Sequence, residues 1–175
     1  MTAAVVGHYL EDLSLGQSAS YTRTITESDI QQFGAVSGDL NPLHFDEDYA
    51  KTTIFRGRIA HGMLSASVIS AAIAARLPGP GSIYLAQNLS FRRPVRIGET
   101  VCATVTVKEI LTGRRRAVLE TICEVNGIVV VDGDAVVMPT SAAERAKEQS
   151  RIQSAEMAEV AQAADYAAAR PPSTR

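Results

Sequence analysis

Hydrophobic and polar positions change period part-way along this chain. Between Ser18 and Ile25 they alternate, with Tyr21, Arg23 and Ile25 against Ser20, Thr22 and Thr24, and this predicts a short strand. From Thr26 the spacing lengthens. Ile30, Phe33 and Val36 recur at helical intervals and predict a helix with those residues on one side. Thr26 and Asp29 resemble a capping box at its start, weakened because Asp is shorter than the preferred Glu. Gly38 stops the helix. Asp46 is placed to cap a short helix through Tyr49 and Ala50. Thr52 to Ile59 reads as a loop. Ala60-His61-Gly62-Met63-Leu64 then opens a run to Leu77 that is rich in Ala and Ser and apolar nearly all round. A helix apolar on every face is a buried one. Pro78-Gly79-Pro80-Gly81 ends it.

The second half returns to a period of two. Ile83 to Phe91 is strand-like, and Arg92 to Gly98 is a connection with turn chemistry. Val101, Ala103, Val105 and Val107 alternate strictly with Cys102, Thr104 and Thr106. Thr112-Gly113 marks a turn. Ala117, Leu119, Thr121, Cys123 and Val125 alternate again, and Asn126-Gly127 is a strong hairpin signal. Ile128 to Met138 is the last strand, closed by Pro139. One strand therefore precedes the buried helix and the others follow it. The class is α+β, and an antiparallel sheet curling round a central helix buries all these faces at once. Two regions are expected: 1–140 as the folded domain, and 141–175 as an Ala-rich tail of high helix propensity whose end, Arg170 to Arg175, is disordered.

Composition narrows the partners. A length of 175 residues suits one domain plus a tail, and 46% hydrophobic residues are enough for a core. The formal net charge is −2 and Trp is absent, which argues against nucleic acid. Cys102 and Cys123 lack metal-ligand spacing and lie in strand-like runs, so buried free thiols in a reducing compartment are expected. Met1 to Gly7 lacks the basic and apolar parts of a signal peptide, and Met63 to Leu77 is too short to span a bilayer. The expectation is a soluble, cytoplasmic protein with no membrane partner.

The stretch Ser37-Gly38-Asp39-Leu40-Asn41-Pro42-Leu43-His44 carries the candidate chemistry. Asp39 and His44 are a carboxylate and an imidazole, a pair able to hold a water and move its protons. Gly38, Asn41 and Pro42 predict a shaped, non-helical path that aims both side chains at one point. A lone Asp or His in a loop is usually solvated or capping, so this spacing is a weak signal by itself. Of the other histidines, His61 reads as a structural residue at a helix start and His8 as exposed. No Gly-rich dinucleotide loop and no His/Cys cluster signals a cofactor or metal.

The combination of Ser37-Gly38-Asp39-x-Asn41-Pro42-Leu43-His44 with His61-Gly62-Met63 resembles the MaoC-like, (R)-specific enoyl-CoA hydratase family. The resemblance spans roughly Leu10 to Pro139 and includes Gly81 to Leu85 and Leu89-Ser90-Phe91. It is close to the short bacterial form that supplies (R)-3-hydroxyacyl-CoA for polyhydroxyalkanoate synthesis. What it implies is a hot-dog fold, a curved antiparallel sheet wrapped around a long central helix, in a homodimer whose sheets join edge to edge. The implied reaction is reversible syn addition of water to a trans-2-enoyl-CoA, with no cofactor beyond the coenzyme A of the substrate and no metal. Asp39 and His44 are carried over as the catalytic pair, Gly62 as the oxyanion donor through its backbone N–H, Ser70 as a serine near the pair and Asn41 as the motif asparagine. Asp39 takes the water's proton. His44 either orients the water or supplies the C2 proton. Asn41 before Pro also reads as a turn former, and Ser70 as a helix serine bonded to a carbonyl. Arg56, Arg58, Arg92, Arg93, Arg96 and Arg114 to Arg116 are candidate partners for coenzyme A phosphates. The alternatives are a hot-dog acyl-CoA thioesterase and a non-catalytic acyl-CoA-binding subunit.

Overall fold

A short 3-10 turn at Leu10–Asp12 leads into strand β1 (Ser18–Thr24), and helix α1 (Glu27–Ser37) follows. Two short helices, α2 (Pro42–Phe45) and α3 (Glu47–Lys51), precede the long helix α4 (Gly62–Ala75). Strands β2 (Ile83–Phe91), β3 (Thr100–Leu111), β4 (Arg116–Val125) and β5 (Ile128–Met138) complete the domain. This computed structural model describes residues 7–147, 149–151, 153, 154 and 157.

The strands form one five-stranded antiparallel sheet in the order β1-β3-β4-β5-β2. The alternation read in β3 points inward as expected. Val101, Ala103, Val105 and Val107 are at most 2% exposed and face α4, which buries Val68, Ile69, Ala72 and Ile73 against the sheet. Each buried branched side chain contributes about 1.5–3 kcal/mol, and a one-residue slip would turn the whole set outward, so the register is strongly specified. Asn126 and Gly127 both have positive φ, 51° and 75°, the geometry of the tight hairpin between β4 and β5. The result is the expected hot-dog arrangement, a curved sheet around a long helix.

Four expectations are corrected. Val36, expected on the packed face of α1, is 84% exposed: the buried residues of that helix are Ile30 and Gly34, and Val36 lies about 120° round the helix from Ile30. Helix α4 is not buried all round: Met63, Ser67, Ser70 and Ala74 form an exposed stripe at helical spacing. Cys102 is only half-buried, while Cys123 is buried and its thiol is pushed up to about 12 by burial. Asn41 to His44 is not free of helix, as described below.

The chain divides into two compact units at Thr140/Ser141. In the second, the described residues from Ala142 onward are helical, with the Ser141 hydroxyl accepting from the Glu144 N–H at 3.2 Å. The segments 1–6 and 170–175 lie outside the described residues. Among the described residues no helix is long and apolar enough to cross a membrane.

Candidate active site

Helix α1 delivers the chain to Asp39 from a fixed start. The Thr26 hydroxyl accepts from the Asp29 N–H at 3.2 Å and the Asp29 carboxylate accepts from the Thr26 N–H at 2.8 Å, so the short aspartate closes a full capping box. At the far end Gly38 adopts φ 76°, a left-handed turn that suits glycine. Asp39 follows at once. Its N–H donates to the Ser37 hydroxyl at 3.1 Å, and its carboxylate accepts from the Asn41 N–H at 3.2 Å. Asn41 in turn caps α2, its side-chain oxygen accepting from the Leu43 N–H at 3.1 Å. Pro42 stands at the start of that single turn, where a missing N–H is harmless and a fixed φ is helpful. Proline therefore starts a helix here instead of forbidding one, and His44 rides on it.

The segment Arg58–His61 then holds this turn by its backbone carbonyls. Arg58 donates from Nε to the His44 carbonyl at 2.7 Å and from its guanidinium to Glu27 at 2.8 Å. This bond to Arg58, with help from Gln31, keeps the Glu27 carboxyl below the usual carboxylate range. His61 Nε2 lies 3.0 Å from the Asp39 carbonyl, and His44 Nδ1 lies 2.9 Å from the Ile59 carbonyl. A carbonyl only accepts, so each of those ring nitrogens carries the hydrogen. Neutral His44 therefore has a bare Nε2.

His44 and His61 are 7% and 1% exposed, and their rings stack with centroids 3.8 Å apart. Burial pushes the His61 pKa down, so this ring is neutral near neutral pH. A carboxylate oxygen of Asp39 and one ring nitrogen from each histidine lie within 4.8 Å of one another. Two hydrogen bonds of about 2.8 Å span up to about 5.6 Å, so one water can touch both Asp39 and His44.

His44 opens on a cavity of about 220 Å³ whose walls include Gly62, Ser65, Phe91, Arg92 and Arg93. Asp39 is off this lining, exposed beside the histidine pair. Gly62 is the first residue of α4, so its N–H has no partner within the helix and faces outward at the positive end of the dipole. A Cβ at Gly62 would stand 2.9 Å from the Phe91 ring, so glycine is what leaves room beside that amide. A second cavity, of about 550 Å³, is lined by Phe33, Met63, Ser67, Ser70, Tyr84 and Leu89, and Phe91 belongs to both. Burial pushes the Tyr84 phenol up to about 12, and its hydroxyl bonds Gln87.

The structure therefore brings Asp39, His44 and Gly62 to one place. Asn41 supports their loop through its side-chain oxygen. Ser70 lies in the second cavity, and the serine that shares the His44 cavity is Ser65. Among the arginines, Arg58 and Arg96 hold backbone carbonyls, Arg92 pairs with Asp132 at 3.0 Å, and Arg92 and Arg93 line the first cavity. Sequence reasoning missed Ser65 and the part played by Arg58 and His61. Nothing in the pattern separates Ser65 from the other serines of α4, and contacts to carbonyls leave no trace in side-chain periodicity.

Residues 14–127 match the family model described as "MaoC like domain". Over 131 residues the chain is 56% identical to the (R)-specific enoyl-CoA hydratase of Rhodospirillum rubrum, an overlap covering 75% of this chain and 91% of that one. Over 128 residues it is 42% identical to the (R)-specific enoyl-CoA hydratase of Aeromonas caviae, covering 73% and 96%. Its fold is similar to that of the R-hydratase PhaJ1 from Pseudomonas aeruginosa in the unliganded form, with TM-score 0.73, 48% identity, and coverage of 77% of this chain and 87% of that one.

Proposed function

The chain belongs to the MaoC-like domain family, and from that premise we propose that it is an (R)-specific enoyl-CoA hydratase. It adds water reversibly to a trans-2-enoyl-CoA and gives the (R)-3-hydroxyacyl-CoA, a reading supported by its similarity to relatives named (R)-specific enoyl-CoA hydratase. The observation that carries the reading is the convergence of the Asp39 carboxylate, the His44 ring and the Gly62 amide beside one cavity.

In the hydration direction, one water sits between Asp39 and the bare Nε2 of His44. Asp39 takes one of its protons, and the oxygen bonds C3. The double-bond electrons move toward the thioester, whose oxygen becomes an enolate held by the Gly62 N–H. A preorganised donor of this kind stabilises the transition state by roughly 3–4 kcal/mol. The enolate collapses by taking the proton from Asp39 at C2, which restores the carboxylate. His44 accepts a hydrogen bond at Nε2 from the O–H that the water keeps and so orients it, a role suited to a ring whose Nδ1–H is committed to Ile59. Because one acid–base pair on one side serves both carbons, hydroxyl and hydrogen arrive on the same face.

The acyl chain extends past Phe91 into the apolar cavity, and Arg92 and Arg93 face the phosphates of coenzyme A. The exposed residues Ile83, Tyr84, Leu85 and Phe91 on edge strand β2, with the exposed stripe of α4, support a homodimer joined along that edge. Free Cys102 and Cys123 fit a cytoplasmic setting. The similar (R)-hydratase from A. caviae is involved in PHA biosynthesis, and supply of the hydroxyacyl thioester for polyhydroxyalkanoate is the proposed role here.

Crotonyl-CoA decides the reaction class. The expected result is loss of enoyl-thioester absorbance with no free thiol released, and a product of R configuration. Thiol release at the same rate would replace hydration with thioester hydrolysis, and binding without either change would leave only an acyl-CoA-binding protein.

A further inference from the structure

We propose that His61 is a positioning residue that holds Asp39 and His44 in one geometry, its Nε2–H fixing the Asp39 carbonyl while its ring supports the His44 ring. The inference rests on the hydratase reading of Asp39 and His44 and goes beyond it.

His61 is 1% exposed, and its Nδ1 has no hydrogen-bond partner among the described residues. A buried polar atom without a partner is unfavourable and calls for a compensating reason. Packing does not supply it. The ring lies against Phe33 and Phe45 at centroid distances of 4.9 Å and 5.6 Å, surroundings that a phenyl group would fill with no orphaned atom. What the imidazole adds is the Nε2 contact to the Asp39 carbonyl at 3.0 Å.

Place in the chain strengthens the case. His61 caps α4, and its own carbonyl accepts from the Ser65 N–H at 3.2 Å. The donor that reaches Asp39 is thus anchored to the same helix that presents the Gly62 amide. Acid, imidazole and oxyanion donor are referenced to one rigid element. Neutrality matters as well, because a second positive ring 3.8 Å from His44 would oppose any charge forming there. Burial keeps His61 neutral.

The test uses two substitutions in the full chain. His61→Phe keeps the ring and removes the donor. It is expected to lower kcat for crotonyl-CoA by about 10- to 100-fold with KM within about twofold, the scale of a small misplacement of reacting groups. His61→Gln presents an N–H near the Nε2 position and is expected to recover at least about a third of the wild-type kcat. A His61→Phe enzyme that keeps more than about a third of its kcat, or a His61→Gln enzyme that falls as far as His61→Phe, overturns the proposal. The nitrogen-15 spectrum of the wild-type imidazoles decides independently of any variant's folding. A hydrogen on Nε2 with a bare Nδ1 in His61 at neutral pH supports the bond to Asp39, and an Nδ1–H tautomer or an imidazolium overturns it. If the wild-type protein turns over no enoyl-CoA, the hydratase reading fails instead, and the spectrum still decides the contact.

Discussion

The two cavities share Phe91 and nothing else of their walls. The one at His44 is small, about 220 Å³, and has two guanidinium groups and a helix amide on its lining. Its neighbours are fixed by hydrogen bonds to backbone carbonyls at 2.7–3.0 Å. The other holds about 550 Å³ and is lined by rings, a thioether and the small serines of α4. The contrast follows from what each end of a thioester substrate needs. Developing charge is stabilised by dipoles already in place, so the reacting end must be rigid. An acyl chain gains about 0.8 kcal/mol per buried methylene wherever apolar volume exists, so the far end needs only space. Damage on the two sides should accordingly show in different kinetic parameters.

The largest effect is expected at the acid and the imidazole. Asp39→Asn and His44→Ala should each lower kcat by at least about 100-fold, the scale of acid–base groups. Asp39 is exposed, so Asp39→Asn should melt near the wild-type temperature, while His44→Ala also leaves the Ile59 carbonyl without its donor. Steady-state hydration of crotonyl-CoA beside a melting curve checks both. Near-full turnover in a folded variant would take that residue out of the reaction.

The amide of Gly62 can be removed with the helix kept, because a helix start accepts proline, and Gly62→Ala is the control for the Cβ that proline also adds. His61 has φ −59° and ψ 137°, a conformation that suits the residue before a proline. Gly62→Pro is expected to lower kcat by about 100- to 1000-fold. Gly62→Ala meets the Phe91 ring at 2.9 Å but keeps its N–H, and its expected loss is about tenfold. Equal losses in the two variants would mean that crowding, not a missing donor, limits the reaction.

How much of this was legible in the sequence differs between the two cavities. The sheet was, because strict alternation in Val101–Val107 and a positive-φ Asn-Gly hairpin leave few other ways to bury those side chains. The loop that carries Asp39 and His44 was found from its motif, although its helical turn at Pro42 was not. The depth of each serine on α4 was not readable. Ser65 and Ser70 are separated by about 140° around the helix, and only the curve of the sheet decides which side is covered. Arg58 and His61 act on carbonyls, and every residue has a carbonyl, so no side-chain pattern announced them.

A smaller effect, confined to substrate choice, is expected in the apolar cavity. Ser70→Leu fills part of it and should lower kcat/KM for an eight-carbon enoyl-CoA by about tenfold, since one or two methylenes are worth that much in a pocket. Turnover of the four-carbon substrate should stay within about twofold. A series of enoyl-CoA chain lengths measures this, and an equal loss at every length would move the acyl chain out of this cavity.

The smallest effect lies outside both walls yet feeds both, because α1 places Phe33 in the apolar cavity and ends at the turn before Asp39. Its first turn depends on Asp29, whose carboxyl is held below the usual range by the Thr26 hydroxyl first, then by the Thr26 N–H and Arg23 at 2.6 Å. A carboxyl with a depressed folded pKa adds stability in full above its unfolded value, about 3.9, and loses it as pH falls through the folded value. Asp29→Asn should therefore destabilise the protein by about 1 kcal/mol at pH 7, the usual loss for a helix cap, and by less at pH 3. Urea unfolding at the two pH values measures the difference. A gap of the same size at both would assign the effect to the shape of the cap and not to its charge. With kcat unchanged in the folded variant, the rigidity of the reacting end would be traced to the contacts from Arg58 and His61, not to the start of α1.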